Sequence, residues 1–191
     1  MRSQRGKPPR RSLRAVWLVP AVAATLAAAC AQSQAQVFDV INGNASGPGW
    51  LKQAVIDANA SGQPATIQID VPSINLGSHE LQLLNSASLT TTVGTSQIVL
   101  PSTPATGDPY LLTFITHPAN LSIGSGVSLQ TNSIASIYAN VDGSSVTVNG
   151  TILPGSGSDG IQVAQSATVV VGPTGTIHSD VTAIRKLGGA D

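Results

Sequence analysis

Asp159, His178, Asp180 and Arg185 form the densest group of acid, base and cation in this 191-residue chain. Two carboxylates flanking a scissile bond could do general acid–base work on a glycoside, and an arginine beside them could hold developing negative charge. Asp159 and Asp180 fall near equivalent places of two successive repeats, while the other acids are isolated. An aspartate at a glycine-rich corner commonly turns its carboxylate onto nearby backbone N–H groups. That role is expected of both, so no catalytic residue is assigned and the chain reads as non-enzymatic. His79 and His117 sit at turn edges without companions at ligand spacing, so no metal or cofactor site is expected. Asn-x-Ser/Thr triplets begin at Asn44, Asn59, Asn120 and Asn149, but asparagine and serine in turns produce such matches freely.

The elements that would position these side chains are strands. Downstream of Asn120 a period appears: Ile137, Ile161 and Ile184 recur at spacings of 24 and then 23, and Gly126, Gly150 and Gly175 at spacings of 24 and then 25. Around the glycines the chain reads Gly126-Val127-Ser128-Leu129, Gly150-Thr151-Ile152 and Gly175-Thr176-Ile177. A repeat of this length fits one coil of a β-solenoid, with alternate aliphatics sharing a core and glycine at corners. Residues 65–120 carry short apolar runs at 65–71, 81–84, 89–93, 97–100 and 110–116, divided by turns at Pro72-Ser73, Gly77-Ser78, Gly94-Thr95 and Pro101 to Pro109. The 101–109 piece is the longest break, and a loop leaving the stack is expected there.

One amphipathic helix is expected, over Gly47 to Asn59. At ~100° per residue Trp50, Leu51, Ala54, Val55 and Ala58 share one arc, and Ile56 falls on the polar side. Pro48 suits the first turn and Gly62 a left-handed C-terminus. A helix this short needs a surface to lie on. The end of a β stack offers one, so these five residues are expected to cap the first coil.

Residues 1–14 hold six arginines and lysines and no acid, and residues 15–29 are almost wholly apolar or small. This is the pattern of a secretory signal, with cleavage expected after Ala35 of Ser33-Gln34-Ala35. Cys30 behind Leu26-Ala27-Ala28-Ala29 is similar to a lipoprotein box with its leucine one place early, which keeps a periplasmic or lipidated binding module as an alternative. Beyond Ala35 only Lys52, Arg185 and Lys186 remain against nine acids, a net charge of 3 − 9 = −6. Clustered cations are absent, so nucleic acid is not an expected partner. No cysteine remains for disulfides. Low charge with abundant Val, Ile, Thr, Ser and Gly describes β structure with many tight turns, and an aromatic share of 3% suits thin coils better than a sandwich.

Val37-Phe38-Asp39-Val40-Ile41-Asn42, Gly47 to Val55, Ala58-Asn59 and Thr66-Ile67-Gln68-Ile69 resemble the opening segment of secreted bacterial β-helix proteins, with Lys52 and Val55 replacing the usual Arg and Ile. Asp159-Gly160-Ile161, Ala167 to Val171 and Thr174-Gly175-Thr176-Ile177 resemble passenger domains of Gram-negative autotransporters. The resemblance implies an exported β-helix at the cell surface, attached to the outer membrane by a C-terminal barrel that this sequence lacks. Right-handed β-helices also host polysaccharide lyases and hydrolases, which keeps a secreted carbohydrate-active enzyme as the other alternative.

The expected fold is therefore all-β, a right-handed parallel β-helix with one short N-terminal capping helix. Its expected parts are a signal peptide (1–35), a strand and capping helix (36–64) and irregular first coils (65–120). Regular coils of about 23–25 residues each are expected over 121–191, cut off within a coil. The expected role is surface display or adhesion towards an unidentified host or surface ligand.

Overall fold

The computed structural model describes residues 35–101, 110–114, 117–164 and 166–188. The signal segment and Cys30 lie outside them, as do residues 102–109 of the expected loop, and only Ala35 of the cleavage site is described. Sixteen strands and one helix are formed among the described residues. The first is β1 (Gln36–Val40), followed by α1 (Leu51–Ser61), and no described helix is long and apolar enough to cross a membrane.

Five three-sided coils follow. The first is β2 (Ala65–Ile69), β3 (Ser73–Asn75) and β4 (Leu81–Leu83), and the second is β5 (Ala87–Thr91), β6 (Ser96–Leu100) and β7 (Tyr110–Phe114). The third is β8 (Asn120–Ile123), β9 (Val127–Thr131) and β10 (Ala135–Ala139), and the fourth is β11 (Ser145–Val148), β12 (Thr151–Pro154) and β13 (Asp159–Val163). The fifth is β14 (Thr168–Val171), β15 (Thr176–Ile177) and β16 (Ile184–Lys186). Each side stacks into a parallel sheet: sheet I is β1-β2-β5-β8-β11-β14, sheet II is β3-β6-β9-β12-β15, and sheet III is β4-β7-β10-β13-β16. This is a parallel β-solenoid of about six turns with a single short helix near its N-terminus.

Alternation explains the strands. Ala65-Thr66-Ile67-Gln68-Ile69, Ser96 to Leu100 and Val127 to Thr131 all bury every second residue, the pattern of a strand with one face on a core. The buried positions line up from coil to coil. Ile74, Ile98, Leu129, Ile152 and Ile177 form one column of sheet II. Leu81, Leu112, Ile137, Ile161 and Ile184 form the column of sheet III. The isoleucine period read from the sequence is thus a physical ladder.

Three expectations change. Ser73, expected in a turn, begins β3, whose Ile74 is fully buried. The coils of 65–120 are expected to be irregular, yet they share the register of the later ones. Their long steps, from Ile98 to Leu129, Leu81 to Leu112 and Ala87 to Leu121, all cross the segment between Pro101 and Tyr110. That segment therefore accounts for most of the irregularity. The glycines do not form one marker, because Thr151 pairs with Ser128 and with Thr176. Gly150 therefore faces Gly175, but Gly126 stands one place out of step. Gly126 has φ +83, a left-handed corner, whereas a Cβ on Gly150 or Gly175 would lie 2.2 Å from the Val127 oxygen or 2.0 Å from that of Val148. At Gly126 a Cβ would also lie 2.2 Å from the Gly94 oxygen, so backbone geometry and lack of room both require that glycine, whereas lack of room alone requires the other two.

Candidate functional site

At the amino-terminal end each sheet has an edge that must be satisfied. Sheet I is extended by β1, paired in register with β2 from Gln36–Ala65 to Val40–Ile69, and β1 is then its outermost strand, with one strand neighbour among the described residues. Sheet II is closed by the turn after β1, where the Gly43 carbonyl accepts the Asn75 N–H at 2.8 Å. Gly43 sits so close to β3 that a Cβ there would lie 2.2 Å from the Ser73 oxygen, so only glycine lets the turn descend onto the strand. Asn42 holds that turn, its amide donating to the Ser46 and Pro48 carbonyls and its Oδ1 accepting the Asn44 N–H.

Sheet III is closed by a single side chain. Asn59, in the last turn of α1, donates its amide N–H to the Gln82 carbonyl at 2.7 Å and accepts the Leu84 N–H at 2.9 Å. A parallel neighbour would make the same two bonds on either side of Leu83. The Asn59 carboxamide therefore substitutes for the N–H and C=O of one residue of a missing strand. Its own backbone carbonyl, at the helix C-terminus, accepts from Asn85 Nδ2 at 2.9 Å and from Gly62, which is left-handed at φ 66.

Leu51, Ala54, Val55 and Ala58 are buried on the coil and Ile56 is exposed. Trp50 differs from the expectation. It is the N-cap residue, extended at φ −82 and ψ 158, makes no side-chain cap bond, and remains half-buried. Its ring meets His79 edge-on, with centroids 5.5 Å apart. Pro48 lies before the N-cap rather than in the first helical turn.

The last described coil is finished otherwise. Val171 and Ile184, which continue buried columns, are 46% and 39% exposed, and β14, β15 and β16 each have only one strand neighbour among the described residues. No described element covers them.

Asp159 and Asp180 are not equivalent. Asp180 accepts from the Ser156 hydroxyl at 3.1 Å and the Gly157 N–H at 3.3 Å, one coil back, and the Gly157 N–H foremost holds its carboxyl below the usual range. This is the backbone-turn role expected of it, reached across coils. Asp159 is buried at the start of β13. Its Oδ2 takes the Arg185 Nε at 2.9 Å and the Gln162 amide at 2.8 Å, while Oδ1 is buried with no partner. The register runs Thr113, Tyr138, Gln162, Arg185 across four strands of sheet III. Tyr110 lies parallel to Tyr138, with centroids 4.3 Å apart and planes 6° apart, and its hydroxyl reaches Gln162 Oε1 at 3.4 Å.

Sequence reasoning singles out neither tyrosine nor Gln162, although Tyr138, Gln162 and Arg185 each directly follow an isoleucine of the ladder. No group of three or more potential metal-ligating side chains occurs among the described residues. His117 lines an open groove of about 490 Å³ beside the helix C-terminus, together with Asn59, Pro64 and Asn85. No protein-family model, curated protein or solved structure matches this chain.

Proposed function

We propose that this chain is the N-terminal part of an exported, autotransporter-like passenger, a non-catalytic β-helical scaffold for surface display or adhesion. The observation that supports this reading is the difference between its ends. At the amino-terminal end Gly43 and Asn59 bond the first strands of sheets II and III, and α1 buries Leu51, Ala54, Val55 and Ala58 over the first coil. The last described coil offers three open strands and the exposed column residues Val171 and Ile184, a surface suited to receive further coils. In this reading the signal segment ending at Ala35 directs export, and outer-membrane attachment comes from a barrel encoded beyond Asp191. The flanks of the stack then meet the host or surface ligand.

The test has two parts. The locus is read downstream of the Asp191 codon, and the full-length product is expressed in a Gram-negative cell and labelled with a membrane-impermeant reagent. Further in-frame coils of the same repeat length leading to a barrel, with labelling of intact cells, is the expected result. A stop codon after Asp191 and labelling only after lysis would overturn the reading.

A further inference from the structure

The flank of sheet III carries a combination that a plain scaffold does not need. We propose that Tyr110, Tyr138, Gln162, Asp159 and Arg185 form a binding site for a neutral saccharide. The proposal deepens the adhesion reading by naming a ligand class, and rests on it only for which ligands the flank would meet.

Four observations lead to it. First, the two tyrosine rings are parallel and half-buried, against a chain average of 3% aromatics. The face of an aromatic ring is electronegative and accepts polarised C–H groups, which one face of a pyranose ring supplies. Second, the polar groups beside the rings are held in place before any ligand arrives. Gln162 is fixed between the Tyr110 hydroxyl and Asp159, and Asp159 fixes Arg185 through Nε.

Third, among the described residues Arg185 is engaged at Nε and its side chain is 48% exposed, which leaves the donors of its two terminal amino groups for a ligand. Fourth, Asp159 is buried yet its Oδ1 has no donor, and Thr113, in the register column of Tyr138, Gln162 and Arg185, has an unpartnered buried hydroxyl as well. Buried polar atoms are normally paired, so this part of the flank keeps unsatisfied polar groups that a plain scaffold would not retain.

Charge selects the kind of saccharide. Asp159 cancels Arg185, and the chain beyond Ala35 is otherwise acidic. An anionic sugar would be drawn to the guanidinium and repelled by the carboxylate beside it. A neutral sugar hydroxyl both donates and accepts, and so matches a carboxylate, an amide and a guanidinium at once. Tyr138, Gln162 and Arg185 occupy three successive strands, about 10 Å from first to last at the usual strand spacing, a length comparable to a disaccharide.

The test is titration calorimetry of the full purified chain with neutral tetrasaccharides of glucose, galactose and mannose, and with a tetragalacturonate. Binding of at least one neutral tetrasaccharide, little altered by salt, is expected. Tyr138→Ala and Arg185→Ala should each weaken it at least about tenfold, and Tyr138→Phe should retain it because the ring remains. Both truncations are at partly exposed positions, and unchanged circular dichroism separates lost binding from lost fold. Three results would overturn the proposal: no binding to any neutral probe, binding indifferent to both truncations, or binding to the uronate alone with steep salt dependence. Failure here leaves surface labelling of cells unaffected, so the display reading stands or falls separately.

Discussion

The two ends of the solenoid are built from the same columns of residues and are finished in opposite ways. Leu81 begins the sheet III column fully buried, and Ile184 continues it 39% exposed. What differs is the chemistry laid over the strands. At the amino-terminal end a glycine backbone and an asparagine side chain replace the neighbours that β3 and β4 lack, and an apolar helix face covers the coil. A parallel coil has no hairpin with which to hide its last edge, so closure requires groups that imitate a strand without continuing it. A cap therefore has two separable jobs, covering apolar side chains and satisfying backbone groups, performed here by different residues.

The strongest way to break the contrast is to make one substitution at two heights of one column. Ile161→Ala removes a fully buried side chain and should lower unfolding free energy by about 2–5 kcal/mol. Ile184→Ala should cost under about 1 kcal/mol. Urea unfolding of both variants decides the point, and equal losses would mean that the last coil is covered in solution.

Asn59→Ala separates the two jobs of the cap. It leaves Leu51, Ala54, Val55 and Ala58 in place but strips the partners from Gln82 and Leu84, an expected loss of about 1–3 kcal/mol. Hydrogen exchange should accelerate at the Leu84 amide first. Static light scattering should show association through the opened edge of β4, and a protein that stays monomeric would show that the helix alone blocks pairing.

Trp50→Asp should act less. Trp50 is half-buried, and an aspartate at the N-cap can accept from the free N–H groups of the first turn. Lost contact with His79 and gained capping oppose each other, so thermal unfolding should place the variant within about 1 kcal/mol of the parent. A collapse of the fold would mean that the indole, rather than the four buried helix residues, seals the coil.

The smallest effect is acidic. The Gly157 N–H holds the Asp180 carboxyl below its usual range, and the hydroxyl and N–H of Ser166 do the same for Asp142. In the unfolded chain both would titrate near the ordinary value of about 3.9. Their contribution is present above that value and fades as pH falls through the lowered folded values, because there the unfolded state binds protons that the folded state refuses. Both groups are solvent-exposed, so acid unfolding should shift only slightly. Asp180→Asn should flatten the acid limb of the stability curve, and an unchanged limb would mean that the bond to Gly157 does not persist in solution.

Legibility in the sequence follows the range of each cause. The isoleucine ladder is readable because one residue type recurs at one spacing and its role, filling a core, depends on little else. β3 is not, since three residues between Pro72 and Leu76 show too little alternation to outweigh a proline and a serine. Gly126 reads as the partner of Gly150 because a letter G does not distinguish a positive φ from a missing Cβ. Helix position is readable from its apolar arc, but the role of Asn59 is not. It depends on where Gln82 and Leu84 lie, further along the chain by almost a whole coil. The tyrosine pair is hidden for a similar reason, because Tyr110 pairs with Ala135 and Tyr138 with Thr113, so the two rings meet from register positions three places apart.

The register steps carry a last consequence, for the order in which the chain acquires structure. Nearly every strand pairs with the strand one coil earlier, so a coil needs its immediate predecessor and nothing beyond it. Such a molecule behaves as a one-dimensional array, with modest loop-closure entropy per step and growth by addition of a unit to an existing template. The closed end is also the end that leaves the ribosome first. Folding can therefore run vectorially, each new coil laid down on the one before while the remainder of the chain is still extended.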